Sequence, residues 1–245
     1  MKTRADVLLT QKGVCVSRSK AANAITEGRV TADGRVILKP AELVDEDSSI
    51  EITDPDKYVS RGAYKLLGAI EAFGLSFEGL VVADIGASTG GFTQVLLECG
   101  AKKVFAVDVG EDQLSHIVAA DPRVVQYTRT NARFLDADML KCRVDAVVMD
   151  VSFISQSYIY PAISRILKED GFAATLIKPQ FECGRQRLGK HGILKDPDGS
   201  IAGEIIERLS AEADKNGLCI KRTAVSPITG GDGNREYLAY LEVKK

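Results

Sequence analysis

Four ionisable residues stand where the sequence could do chemistry. Lys65 lies in Ser60-Arg61-Gly62-Ala63-Tyr64-Lys65-Leu66, Asp150 follows the apolar run Val144–Met149, Lys178 closes Leu176-Ile177-Lys178, and Glu236 opens the run Tyr237–Val243. Each alone has an ordinary account: a solvated helix face for Lys65, a strand-end charge for Lys178, an edge-strand charge for Glu236. A lysine at the C-terminal end of a buried parallel strand points into the crevice that Asp150 also faces. Two lysines and two acids converging there read as a functional set.

A second constellation surrounds Val81-Val82-Ala83-Asp84-Ile85-Gly86-Ala87-Ser88-Thr89-Gly90-Gly91-Phe92. Glycines at a strand-to-helix turn let the backbone approach a ligand closely, and a helix N-terminus offers free N–H groups. The spacing Gly86-x-x-x-Gly90-Gly91 is not the G-x-G-x-x-G of dinucleotide binders, and Asp84 would repel a pyrophosphate. It suits a ligand with an ammonium group and no phosphate, such as S-adenosylmethionine (SAM). Asp108 ends the next strand, where a carboxylate can accept both ribose hydroxyls. Asn131 follows the third strand and is expected at the adenine edge. Asp150 ends the fourth, at the crevice where doubly wound folds bind ligands. The expected cofactor set is therefore Asp84, Gly86, Ser88, Gly90, Gly91, Phe92, Asp108, Asn131 and Asp150.

The elements that must position these residues follow from the pattern. Apolar runs Val81–Ile85, Val104–Val109, Val124–Tyr127, Val144–Met149 and Ala173–Ile177 alternate with helical stretches, which is βαβ organisation around a parallel sheet. Cys219–Val225 and Tyr237–Val243, separated by Gly230-Gly231-Asp232-Gly233-Asn234, read as a hairpin closing the sheet's edge. The first 50 or so residues have other punctuation. A helix over Arg4–Lys12 stops at Gly13, and Ser17 caps a second that stops at Gly28. Asp33-Gly34 joins Val30–Ala32 to Val36–Leu38 as a hairpin, and Ser49–Thr53 is a last strand. The expected division is a module over residues 1–55, a linker over 56–60 containing part of Asp54-Pro55-Asp56, and an enzyme over 61–245.

Composition narrows the classes. A chain of 245 residues with net charge −2 leans, taken whole, against a nucleic-acid binder. Residues 1–40, however, hold eight basic residues against three acids, and residues 41–60 hold seven acids against Lys57. Two unlike fields thus cancel. Arg4, Arg18, Lys20 and Arg29 bracket the second helix and the hairpin start, so one basic face could follow a phosphate backbone. Arg185, Arg187, Lys190, His191 and Lys195 form a second basic stretch among glycines, read as a loop closing on RNA. No apolar run approaches a membrane span, and no apolar core follows Lys2 and Arg4, so secretion is not expected. Five scattered cysteines and two histidines suggest a reduced, cytoplasmic protein without a metal site.

Residues Lys57–Lys245 resemble the FtsJ-like ribose 2′-O-methyltransferases. The likeness is carried by Ser60–Leu66, Asp84–Phe92, Val148-Met149-Asp150-Val151-Ser152-Phe153, Lys178-Pro179-Gln180-Phe181-Glu182 and Gly233-Asn234-Arg235-Glu236-Tyr237. The resemblance implies an α/β class I SAM-dependent methyltransferase fold: Rossmann-like, with a mostly parallel seven-stranded sheet and an antiparallel last strand. It also implies a catalytic Lys–Asp–Lys–Glu tetrad on Lys65, Asp150, Lys178 and Glu236. Residues 1–53 are similar to the small α+β RNA-binding module named for ribosomal protein S-four, through Arg4-Ala5-Asp6-x-Leu8-Leu9, Ser17-Arg18-Ser19-x-Ala21 and Gly28-Arg29-Val30-x-x-Asp33-Gly34.

The two modules in this order resemble the TlyA family, also called haemolysin A. That resemblance implies SAM-dependent cytidine 2′-O-methylation of ribosomal RNA, with rRNA or a ribosomal subunit as partner. Arg61, and Arg185, Arg187 and Lys190 of the second basic stretch, are expected as further RNA contacts. The short N-terminus is similar to the form acting on the large subunit alone. Asp56-Lys57-Tyr58-Val59 departs from the Arg-Ala-Trp-Val of some members. Lys178 is expected to favour the ribose alkoxide, as base or as cationic stabiliser, with the other three orienting it. The alternatives are a non-catalytic RNA-binding assembly factor and a membrane-lytic protein.

Overall fold

A computed structural model describes residues 2–26, 28–52, 57–189, 192–196, 198–230 and 233–244. The chain divides into two compact units, Met1–Lys57 and Tyr58–Lys245.

The first unit runs β1 (Lys2–Arg4), α1 (Ala5–Gln11), α2 (Arg18–Thr26), β2 (Val30–Ala32), β3 (Arg35–Val36), β4 (Leu43–Asp45) and β5 (Ile50–Ile52). Strands β3-β2-β5 form one antiparallel sheet, and β1 pairs with β4 in another. Asp33 and Gly34 both take positive φ (50° and 76°), as a tight two-residue hairpin requires. The Ser17 hydroxyl accepts the Lys20 N–H at 3.3 Å, the expected cap. Strand β3 stops short of the expected Val36–Leu38 run. Only Ile37 of those three is buried, while Val36 and Leu38 face solvent. Leu8, Leu9, Ala21, Ile25, Val30 and Ile37 build the core.

The second unit holds α3 (Gly62–Phe73), β6 (Val81–Ile85), α4 (Gly91–Glu98), β7 (Lys103–Val107), α5 (His116–Ala119), β8 (Val124–Tyr127), α6 (Ala137–Leu140) and β9 (Val144–Met149). It continues with α7 (Tyr160–Ile166), β10 (Leu167–Ile177), α8 (Pro179–Glu182), α9 (Ser200–Lys215), β11 (Leu218–Val225) and β12 (Tyr237–Val243). The sheet order is β11-β12-β10-β9-β6-β7-β8, and β12 runs antiparallel to both neighbours. Strand β9 shows why its sequence is continuously apolar. Val147 and Met149 pack into one core and Ala146 and Val148 into the other, so both faces are covered.

Strand β7 ends at Val107, two residues before the expected Val109, because the Asp108 carboxylate folds back to accept the Ser88 and Gly110 N–H groups, each at 2.8 Å. Residues expected to link the domains open this unit. Tyr58 is buried with its hydroxyl on Glu98, and the Val59 N–H donates to the Gln94 carboxamide at 2.9 Å. Thr53, Asp54, Pro55 and Asp56 lie outside the described residues, as do Gly231 and Asp232 of the glycine-rich turn.

Candidate active site

Strands β12, β10 and β9 are neighbours, so the residues flanking their adjoining ends meet whatever their distance in sequence. Asp150 leaves β9, Lys178 leaves β10 and Glu236 enters the antiparallel β12. Pro179 holds Lys178 in extended backbone (φ −112°, ψ 95°) and starts the short α8. Lys65, in the first turns of α3, reaches the same place.

The four form one chain of ion pairs. Lys178 Nζ lies 2.5 Å from Asp150 Oδ1, Lys65 Nζ 3.6 Å from Asp150 Oδ2, and Lys65 Nζ 2.7 Å from Glu236 Oε2. Lys65 and Lys178 are each 8% exposed and Glu236 2%. That removes the solvated-face account of Lys65. Burying charges carries a desolvation cost that makes such a chain a poor stabilising device, whereas gathered titratable groups in a cleft suit catalysis. Lys178 Nζ also donates to Ser152 Oγ at 2.9 Å. Ser152 lies two residues past Asp150 and was not anticipated as a site residue.

Two cavities meet here. One, of about 460 Å³, is lined by Gly86, Ser88, Asp108, Asn131, Asp150 and Phe153 among others. The other, of about 230 Å³, holds Lys65, Asp150 and Lys178 together with Ser60, Gly91 and Phe92. Gly86, Ser88, Asp150 and Ser152 line both. Asn131 faces the larger cavity, although its Oδ1 accepts the Arg133 N–H at 3.1 Å. The residues fit a nucleoside-bearing cofactor, since an acid at the end of β7 and a polar side chain after β8 stand on one cavity wall.

Three of the residues expected at the cofactor have close protein partners. A Cβ on Gly86 would come within 2.3 Å of the Asp150 carbonyl oxygen, and one on Gly91 within 2.1 Å of Ser60 Oγ. These glycines let protein neighbours approach closely on their Cβ side, while Gly86 lines both cavities and Gly91 the smaller one. Asp84 is fully buried and lines neither cavity. Its Oδ2 accepts the Thr93 hydroxyl at 2.6 Å, tying β6 to α4. Burial is the largest of the effects that push its carboxyl up to about 7, which weighs against the expected role as a carboxylate facing an ammonium group.

Phe153 is 89% exposed at φ +64°, with its ring 4.8 Å from that of Phe181. The segment carrying it is pinned by Glu182, whose buried carboxylate accepts Ser155 Oγ–H (2.7 Å), the Gln156 N–H (2.8 Å) and Arg208 Nη2 (2.8 Å). Both residues were quoted only as parts of motifs. An exposed aromatic in left-handed backbone is the signal that only coordinates reveal.

Of the expected RNA contacts, Arg4 and Arg18 converge on Asp6, whereas Lys20 and Arg29 are half-buried nearby in sequence. Arg61 is exposed and donates to the Thr229 carbonyl at 3.4 Å, Arg187 pairs with Glu204 at 2.7 Å, and Arg185 is exposed. Lys190 and His191 lie outside the described residues. Among the described residues, no helix is long and apolar enough to cross a membrane, and no cluster of three or more His, Cys, Asp or Glu could hold a metal.

Residues 58–243 match the model of the FtsJ-like methyltransferases, and residues 3–50 match the S4 domain. The 16S/23S rRNA (cytidine-2'-O)-methyltransferase TlyA of Mycobacterium tuberculosis is 40% identical over 99% of this chain and 91% of its own. The 23S rRNA (cytidine-2'-O)-methyltransferase TlyA of Campylobacter jejuni is 33% identical over 94% of this chain and 95% of its own. A solved structure of a candidate hemolysin from Streptococcus thermophilus has a TM-score of 0.79 at 40% identity, covering 100% of this chain and 89% of that one. Solved SAM-dependent methyltransferases of much lower identity share the fold. The chain therefore belongs to the FtsJ-like methyltransferases, in the TlyA family, and in this chain the S4 domain precedes the enzyme.

Proposed function

We propose that this protein methylates the 2′-oxygen of a cytidine ribose in ribosomal RNA, using SAM, and that 23S rRNA is a target. The observation that carries the reading is the buried Lys178–Asp150–Lys65–Glu236 chain opening onto both cavities. When bound, SAM supplies an electrophilic methyl group on a cationic sulfur that leaves as a neutral thioether. Asp108, Asn131 and the backbone around Ser88 would hold it.

Lys178 does the central work. An ammonium has three N–H donors. One faces Asp150 and one Ser152, which leaves one for the ribose hydroxyl oxygen. Lys178 thereby orients that oxygen and stabilises the charge it gains as its proton passes to solvent water in the open cavity. Asp150 fixes Lys178 from one side and is itself held by Lys65, which Glu236 anchors. Most of the acceleration comes from holding hydroxyl and methyl donor in line. Phe153, exposed at the mouth of the larger cavity, offers a face on which the target base stacks.

The 23S assignment is supported by the target that both curated relatives' names share. A cytoplasmic location follows from such a substrate. The deciding experiment incubates purified protein with tritiated SAM and rRNA and maps 2′-O-methyl sites. Label on 23S cytidine ribose is expected. Binding without transfer would favour the assembly-factor alternative.

A further inference from the structure

The first unit contains a charge cluster that leaves cationic donors facing solvent. Asp6, in the first turn of α1, is only 4% exposed. Its Oδ1 accepts Arg4 Nε at 2.9 Å, and its Oδ2 accepts both Arg4 Nη2 and Arg18 Nη2 at 3.0 Å. Arg4 ends β1 and Arg18 opens α2, so one buried carboxylate gathers guanidiniums from two separate elements. Their side chains remain 46% and 60% exposed. A guanidinium has five N–H donors. Arg4 gives two to Asp6 and Arg18 one, and among the described residues neither has another partner. A single Arg4–Asp6 fork would already neutralise the carboxylate. A second cation on it brings like charges together and leaves the cluster net positive at the surface, a cost that a bound polyanion would repay.

We propose that Asp6 is a positioning residue for RNA. It holds Arg4 and Arg18 as a preformed pair whose outward donors receive backbone phosphates. The proposal rests on the reading of this unit as the RNA-binding module. A fixed pair loses less side-chain freedom on binding than two free arginines.

Asp6→Asn tests this with a sign. It raises the net charge by one, so charge alone predicts tighter RNA binding. Positioning predicts binding about five- to tenfold weaker. The experiment measures affinity of the full-length protein for a 23S rRNA transcript across a salt series, with folding checked by circular dichroism. The slope of log affinity against log salt should fall in magnitude by about one phosphate contact, the RNA KM should rise, and kcat at saturating RNA should hold. Arg4→Gln/Arg18→Gln should weaken binding at least as much, and adding Asp6→Asn to that pair should change nothing further.

Equal or tighter binding by Asp6→Asn, with the double variant weakened, overturns the proposal. An unaffected double variant overturns the RNA-contact reading itself. Should Asp6→Asn fail to fold, Arg4→Lys/Arg18→Lys carries the test, since lysines keep the charge but cannot fork the carboxylate. Binding about fivefold weaker supports the proposal, and wild-type affinity overturns it.

Discussion

Two ion networks, one in each unit, use the same groups to opposite ends. Around Asp6, one acid holds two arginines whose ends stay open to solvent. Around Asp150, two lysines alternate with two acids, and every member is largely withdrawn from water. The first has a net charge and exposes it, which suits long-range attraction of a polyanion. The second is formally neutral and sheltered, which suits fixing a proton's position within a small space. Residue type differs accordingly: forked guanidiniums present fixed donors outward, whereas a lysine can turn its last N–H to a reacting atom.

The contrast predicts a ladder of effects. Lys178→Ala should lower single-turnover methyl transfer about a thousandfold by removing the charge at the reacting oxygen, while calorimetry shows SAM binding retained. Unchanged turnover would break the assignment of chemistry to the sheltered network. Glu236→Gln acts two links away through Lys65, so a loss of about ten- to a hundredfold in kcat is expected. A rise in RNA KM alone would instead make Glu236 part of the binding surface. Phe153→Ala should cost about tenfold in kcat/KM for RNA through lost stacking, with Phe153→Tyr near wild type. Equal losses in both would break the stacking assignment, since Tyr keeps an aromatic face at that position.

What could be read from sequence follows from how much of each feature is local. Strand β9 was legible because burial on both faces writes a continuous apolar run, and Asp33-Gly34 because positive φ at both turn positions selects those residues. The convergence of Lys65, Asp150, Lys178 and Glu236 was legible because each adjoins a strand or helix that the pattern marks. Strands β1 and β4 were missed. With three residues each, β4 turns only Val44 inward, which leaves no period to detect. Glu182 looks like a surface acid until the fold brings Ser155, Gln156 and Arg208 around it. The burial of Asp84 is equally a property of packing, and its sequence position suggested the opposite role.

That last residue gives the finest form of the comparison, because the two units each bury an aspartate and push it in opposite directions. Arg4 and Arg18 hold the Asp6 carboxyl down to about 2. Its contribution to the first unit is complete above the unfolded value of about 3.9 and is lost as pH falls toward 2. Desolvation raises Asp84 to about 7. The folded enzyme keeps that proton after the unfolded chain has released its own, so stability declines as pH climbs from about 4 toward 7 and levels off above. Asp84→Asn retains the Thr93 contact without the titration. Relative to wild type, the variant's melting temperature should therefore rise by a few degrees between about pH 5 and pH 7.5. Asp6→Asn should instead lose its disadvantage only below about pH 3. Melting curves of both variants across this range check the pair. A pH-independent difference for Asp84→Asn would mean that its carboxyl is ionised in the fold, and would restore it as a possible charge partner for the cofactor.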